Sequence, residues 1–174
     1  MRRFAALLPA LAMLASPAAA QRHCLTSPEA ESLALVAMPE IIRDTGVVCI
    51  TRLPASSLIR QTHGAFIEKY EHAADHAWPA AQAAIVKLSD PMVETLLQSQ
   101  YARPLLTTLL VPQLVGKINI DDCGTIDRLV TDLAPLPPAN AAGLVVTALQ
   151  RLKADKDRGK PVGVPDLPLC VEPR

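Results

Sequence analysis

The sequence predicts an all-α protein, an irregular bundle of about six to eight short helices stapled by two disulfides. Three observations carry that expectation. The chain has 16 prolines against 7 glycines, and most prolines stand at the edges of segments whose apolar residues recur every three or four positions, where proline suits a first helical turn. No two segments alternate apolar and polar residues clearly enough to pair as strands. Cys24, Cys49, Cys123 and Cys170 are an even set in a chain that begins with an export pattern, a context that favours disulfides over free thiols.

The export pattern fills residues 1–20. Arg2 and Arg3 precede the apolar run Phe4 to Leu14, and Ser16-Pro17-Ala18-Ala19-Ala20 ends in the small residues of an A-x-A cleavage site, the layout of a secretory signal peptide. The apolar run is shorter than the roughly 20 residues of a membrane span, and no later stretch reaches that length without a charge or a proline. The expected organisation is a signal peptide at 1–20, a single helical domain at 21–154 and an irregular tail at 155–174 tied to the domain through Cys170. The expected location follows: periplasmic in a cell with two membranes, extracellular otherwise, with no transmembrane segment in the mature chain.

Ser27 followed by Pro28, with Glu29 and Glu31 in the first turn, predicts the first helix, which Pro39 should kink or restart and Gly46 should end. Val47-Val48-Cys49-Ile50 is β-like but has no partner run, and reads as a buried connector. Ser56 or Ser57 then caps the longest helix, reaching about Ala77, with Ile59, Thr62, Phe66, Tyr70, Ala73 and Ala77 on its inward face. Trp78-Pro79 closes it and starts another over Ala80 to Leu88.

Asp90-Pro91 repeats the cap-then-proline signal before Val93, Leu96, Leu97 and Tyr101. Pro104 introduces the most apolar stretch, Leu105 to Val115, interrupted by Pro112 and expected to be the central buried helix. Asp121-Asp122 caps a helix with Ile126, Leu129, Val130 and Leu133, and Pro135-Leu136-Pro137-Pro138 is a stiff connector. The last helix runs from about Asn140 to Ala154 with Leu144, Val145, Ala148, Leu149 and Leu152 inward. Of the three possible cysteine pairings the sequential one, Cys24–Cys49 and Cys123–Cys170, is favoured, because each pair brackets a helical segment expected to fold back on itself.

Charge and motifs exclude more than they assign. The 17 basic and 17 acidic residues balance, and no basic block exists to attract nucleic acid or an anionic membrane surface. There is no C-x-x-C, no G-x-S-x-G elbow and no glycine-rich phosphate loop. One cluster has the residue types of a metal site, His72-Ala73-Ala74-Asp75-His76. Histidines four apart share a helix face, and the string resembles the inverted-zincin signature H-x-x-E-H with Asp75 in place of the glutamate. The resemblance covers five residues and implies a divalent metal held by His72 and His76 with Asp75, and a hydrolytic role at most.

The leading expectation is an exported, non-enzymatic helical module, without a cofactor, that binds a protein or an apolar small molecule in a groove or cavity beside Leu105 to Val115 and the final helix. The alternative is a metal-binding protein using the His72/His76 helix face.

Overall fold

The computed structural model describes residues 24–90 and 92–170; the expected signal peptide lies outside the described residues. Six α-helices run through them: α1 (Ser27–Val48), α2 (Ala65–Leu88), α3 (Met92–Leu97), α4 (Ala102–Val115), α5 (Cys123–Leu133) and α6 (Pro138–Asp157). Short 3-10 turns at Leu58–Arg60 and Ile120–Asp122 lead into α2 and α5. The fold is all-α, with two disulfides.

The start of α1 is fixed one residue before the expected cap. Thr26 occupies the cap position, and its amide and hydroxyl both donate to Glu29 Oε2, at 2.8 and 2.9 Å. That is the reach-back of a capping box, with Pro28 in the first turn where its missing N–H costs nothing. Lys87 near the end of α2 completes the arrangement by donating to Glu29 Oε2 at 2.7 Å.

The helix then continues through Pro39 and Gly46 to Val48, where the sequence predicted a kink and an end. An interior proline costs about 3 kcal/mol. α1 packs against α2, α4 and α6, and burying Val36, Met38 and Ile42 contributes roughly 1.5–3 kcal/mol each. Burial therefore wins, and α1 is the central helix of the bundle.

This unbroken helix overturns the sequential disulfide pairing. At about 1.5 Å per residue the 22 residues of α1 span about 33 Å, which puts Cys24 and Cys49 at opposite ends of one rod. A disulfide needs Cα atoms within about 7 Å. The bridges are instead nested, Cys24–Cys170 with Cα atoms 5.0 Å apart and Cys49–Cys123 at 5.6 Å.

Other boundaries move for similar reasons. Val47 and Val48 form the last turn of α1, and only Cys49 of the expected buried connector is fully enclosed, while Val47 and Ile50 are exposed. α2 begins at Ala65 rather than near Ser57, because Gly64 adopts φ 102°, a left-handed value that ends the preceding turn. Thr62 is consequently exposed and off the helix. The buried stripe of α2 is Ile67, Tyr70, Ala74, Ala77, Ala81 and Ala84, and it runs uninterrupted through Pro79.

α4 was expected at the centre and lies at the side. Ala102, Thr107, Val111 and Val115 face inward, whereas Leu105 and Leu109 are exposed. α5 packs against the two 3-10 turns, in a cluster of Cys49, Ile59 and Cys123 bordered by Leu53, Ile126 and Val130. Lys69 of α2 anchors the connector after α5 by donating to the carbonyls of Ala134 and Leu136. It also stands over the Phe66 and Tyr70 rings at 5.6 and 5.1 Å. Burial holds its ammonium pKa below the usual lysine range.

The Glu29 cap sets a pH dependence. Partial burial works to raise the carboxyl pKa, but the hydrogen bonds from Lys87 and from the amide and hydroxyl of Thr26 outweigh it, and the net shift is downward. A group with a depressed folded pKa stabilises fully above its unfolded value, about 4.3, and loses that contribution as pH falls through the folded value. Thermal unfolding should thus show stability dropping on acidification below about pH 4.3. Glu29→Gln should flatten that drop and cost about 1 kcal/mol at neutral pH.

Candidate functional site

An apolar cavity of about 240 Å³ opens beside α1. Ala30, Leu33, Ala34, Ala37, Met38 and Ile41 of α1 form its floor. α2 contributes Ile85 and Leu88, α4 contributes Leu106, Leu110 and Leu114, and α6 contributes Val145, Val146 and Leu149. Each set recurs at three or four residues, the pattern that lays one helix face along a shared space.

The remaining wall has no regular structure. After α6 the chain turns at Gly159, φ 80°, and runs back as an extended strap over 160–170, of which Pro165, Leu167, Pro168 and Leu169 line the cavity beside Leu25. The strap is fastened at its far end. Leu25 N–H donates to Pro168 O at 2.6 Å, Cys170 N–H donates to Leu25 O at 2.8 Å, and the Cys24–Cys170 disulfide closes the same corner.

Two lining side chains are polar, Ser89 and Gln113, and none is charged. The space exceeds the roughly 150 Å³ of an engineered apolar cavity that stays dry and takes up benzene. A neutral, apolar molecule of a few rings or a short chain fits this chemistry, with the open mouth taking what the interior does not. A charged group would have to remain at the mouth, because no partner in the wall offsets its desolvation.

A second, polar concavity of about 860 Å³ opens on another face of α1, between α1, α2 and α4. Arg43 bridges Glu40 and Glu71, and Arg103 of α4 pairs with Asp75 of α2. These exposed or half-exposed ion pairs tie three helices together, each contributing on the order of 1 kcal/mol or less. Sequence reasoning had no signal for this groove, since the Arg43–Glu71 and Arg103–Asp75 pairs that shape it cross between helices.

The expected metal cluster lies on the flank of α2 beside this groove. His72, Asp75 and His76 are all exposed, and the Asp75 carboxylate is engaged by Arg103. His63 is exposed ahead of α2, and His23 lies outside the described residues. Among the described residues no three His, Cys, Asp or Glu side chains gather in a geometry that would hold a metal ion.

No protein-family model matches this chain, and no curated protein or solved structure matches it either. Its functional reading therefore rests on its own geometry. Asp121 and Asp122 belong to a 3-10 turn whose cap is Asn119, with Asn119 Oδ1 accepting from Asp121 N–H at 3.1 Å and Arg52 pairing with Asp121. Asp122 stands at the N-cap position of α5. No helix of the described residues is long and apolar enough to cross a membrane.

Proposed function

We propose that this protein is an exported carrier that holds a neutral apolar small molecule in the cavity between α1, α2, α4, α6 and the C-terminal strap. The observation that carries the reading is the wall itself: aliphatic residues from four helices and the strap surround about 240 Å³ with two polar side chains and no charge. Burying apolar surface is the main driving force for such a ligand, at roughly 25 cal/mol per Å² removed from water. The two disulfides fit a life in an oxidising compartment, as does the signal-peptide pattern of residues 1–20.

Titration of protein purified without detergent with the fluorescent apolar probe N-phenyl-1-naphthylamine should give saturable binding of one molecule per chain. Ala34→Phe places a ring into the cavity from α1 and should weaken binding by about tenfold or more, with helicity unchanged. Unsaturable binding, or equal affinity in this variant with its fold intact, would count against the reading. Native mass spectrometry of the same preparation should find an apolar adduct that organic solvent extracts.

A further inference from the structure

The two disulfides differ in a way that bears on the cavity. Cys49 and Cys123 are fully enclosed, whereas Cys24 and Cys170 are only half-buried. The accessible one fastens the strap. Beyond its turn at 158–160, the strap's backbone hydrogen bonds to the rest of the described chain are two, both with Leu25. Its inward side chains, Val164 and Leu169 among them, are held in place by the same corner.

We propose that Cys24–Cys170 is a redox latch: oxidised, it holds the strap in place as one wall of the apolar cavity and retains the ligand, and reduced by a dithiol it frees that wall and widens the opening. The inference rests on the carrier reading above. In the step itself, a thiolate of the dithiol attacks one sulfur of the bridge, the S–S bond breaks and a mixed disulfide forms. The second thiol of the reductant displaces the cysteine, leaving Cys24 and Cys170 as thiols and the reductant as its own disulfide. Two electrons and two protons pass from dithiol to protein.

Selectivity follows from access, because exchange requires a thiolate to reach a sulfur along the S–S axis. The latch effect follows from tethering. The strap is joined to α6 at one end by the chain itself, and the closed bridge fixes its far end beside Leu25 as well, which raises the effective concentration of the strap at its seat. Once it is open, two backbone hydrogen bonds, the exposed Lys156–Asp166 pair and the apolar contacts of Val164, Leu167 and Leu169 compete against the freedom of the whole segment after Gly159.

The full-length chain loaded with N-phenyl-1-naphthylamine tests this. Probe release is followed by stopped flow in the oxidised protein, after mild dithiothreitol treatment, and in the double variant Cys24→Ser/Cys170→Ser. Thiol labelling with mass analysis should show that Cys24 and Cys170 are reduced first. Release from both opened forms should be about tenfold faster or more, with far-UV helicity retained and faster amide exchange at Leu25 and Cys170. Saturable binding with the same release rate before and after reduction overturns the latch and leaves the carrier standing. Reduction of Cys49–Cys123 before or together with the outer bridge also overturns it. Absence of probe binding in every form removes the carrier reading and the latch together. Should the double variant not fold, the dithiothreitol arm on the folded protein decides.

Discussion

Replacing Cys49 and Cys123 together by alanine is expected to lower the unfolding free energy by about 4.5 kcal/mol. The bridge joins positions 74 residues apart, and the chain-entropy relation for a loop of that length gives this magnitude. Small domains are stable by roughly 5–15 kcal/mol in total, so the loss is a large share of what holds the protein folded. Alanine is the informative replacement because both positions are fully buried, and a serine hydroxyl there would add its own desolvation cost.

The loss should also be local. α5 packs chiefly on the two 3-10 turns, and its outer face leaves Leu129 exposed. Its ties to the remainder include the disulfide, the Ile59 cluster, the Ser57 hydroxyl donating to Asp127, the Arg52–Asp121 pair before it and the Lys69 anchor on the connector after it. Amide exchange in α5 should therefore accelerate well beyond that in α1 and α2, and the chemical denaturation midpoint should fall without loss of the α1–α2 core. A change below about 1 kcal/mol, within the range of an ordinary point substitution, would show that α5 is held by packing rather than by the bridge.

The helical class was legible because the signals for it are local. Proline and capping residues sit at helix starts at Pro28 and Pro138, and the apolar residues of α4 that reach the cavity, Leu106, Leu110 and Leu114, are spaced by four. What the sequence could not show depends on tertiary burial. Pro39, Pro79 and Pro112 read as breakers, yet each is interior to a helix, because packing outweighs the cost of one missing hydrogen bond. The disulfide pairing failed for the same reason, since it assumed that α1 folded back. Only the α4 and α6 walls of the cavity were foreseeable. The strap was read as a tail without periodicity; Val162 and Val164, and again Leu167 and Leu169, are spaced by two as in an extended segment, but the register shifts by one residue between the pairs. That His72 and His76 share one helix face was legible, but nothing in a five-residue string could report that Arg103 meets Asp75 there.

Gly46→Ala should destabilise the protein by about 3 kcal/mol, although it replaces glycine by the best helix former within a helix. In an open helix the exchange gains roughly 0.5–1 kcal/mol. Here a Cβ on residue 46 would lie 2.0 Å from the carbonyl oxygen of Ile59 and 3.0 Å from its carbonyl carbon. Those are backbone atoms, so no rotamer change relieves the overlap, and overpacking of this kind typically costs 1–3 kcal/mol or more. The Leu58–Arg60 turn must then move away from α1. Ile59, which is 2% exposed, leaves the cluster it forms with Cys49 and Cys123, and the seat of α5 loosens with it. Gly124→Ala is the control. It lies in the first turn of α5, a Cβ there would meet nothing within 4 Å, and the same chemical change should stabilise by about 0.4–1 kcal/mol. Opposite signs for the two substitutions in a denaturant titration would establish that the close approach of α1 to the 3-10 turn, and not helix propensity, fixes glycine at position 46. Equal and favourable effects would mean that α1 and the turn stand further apart.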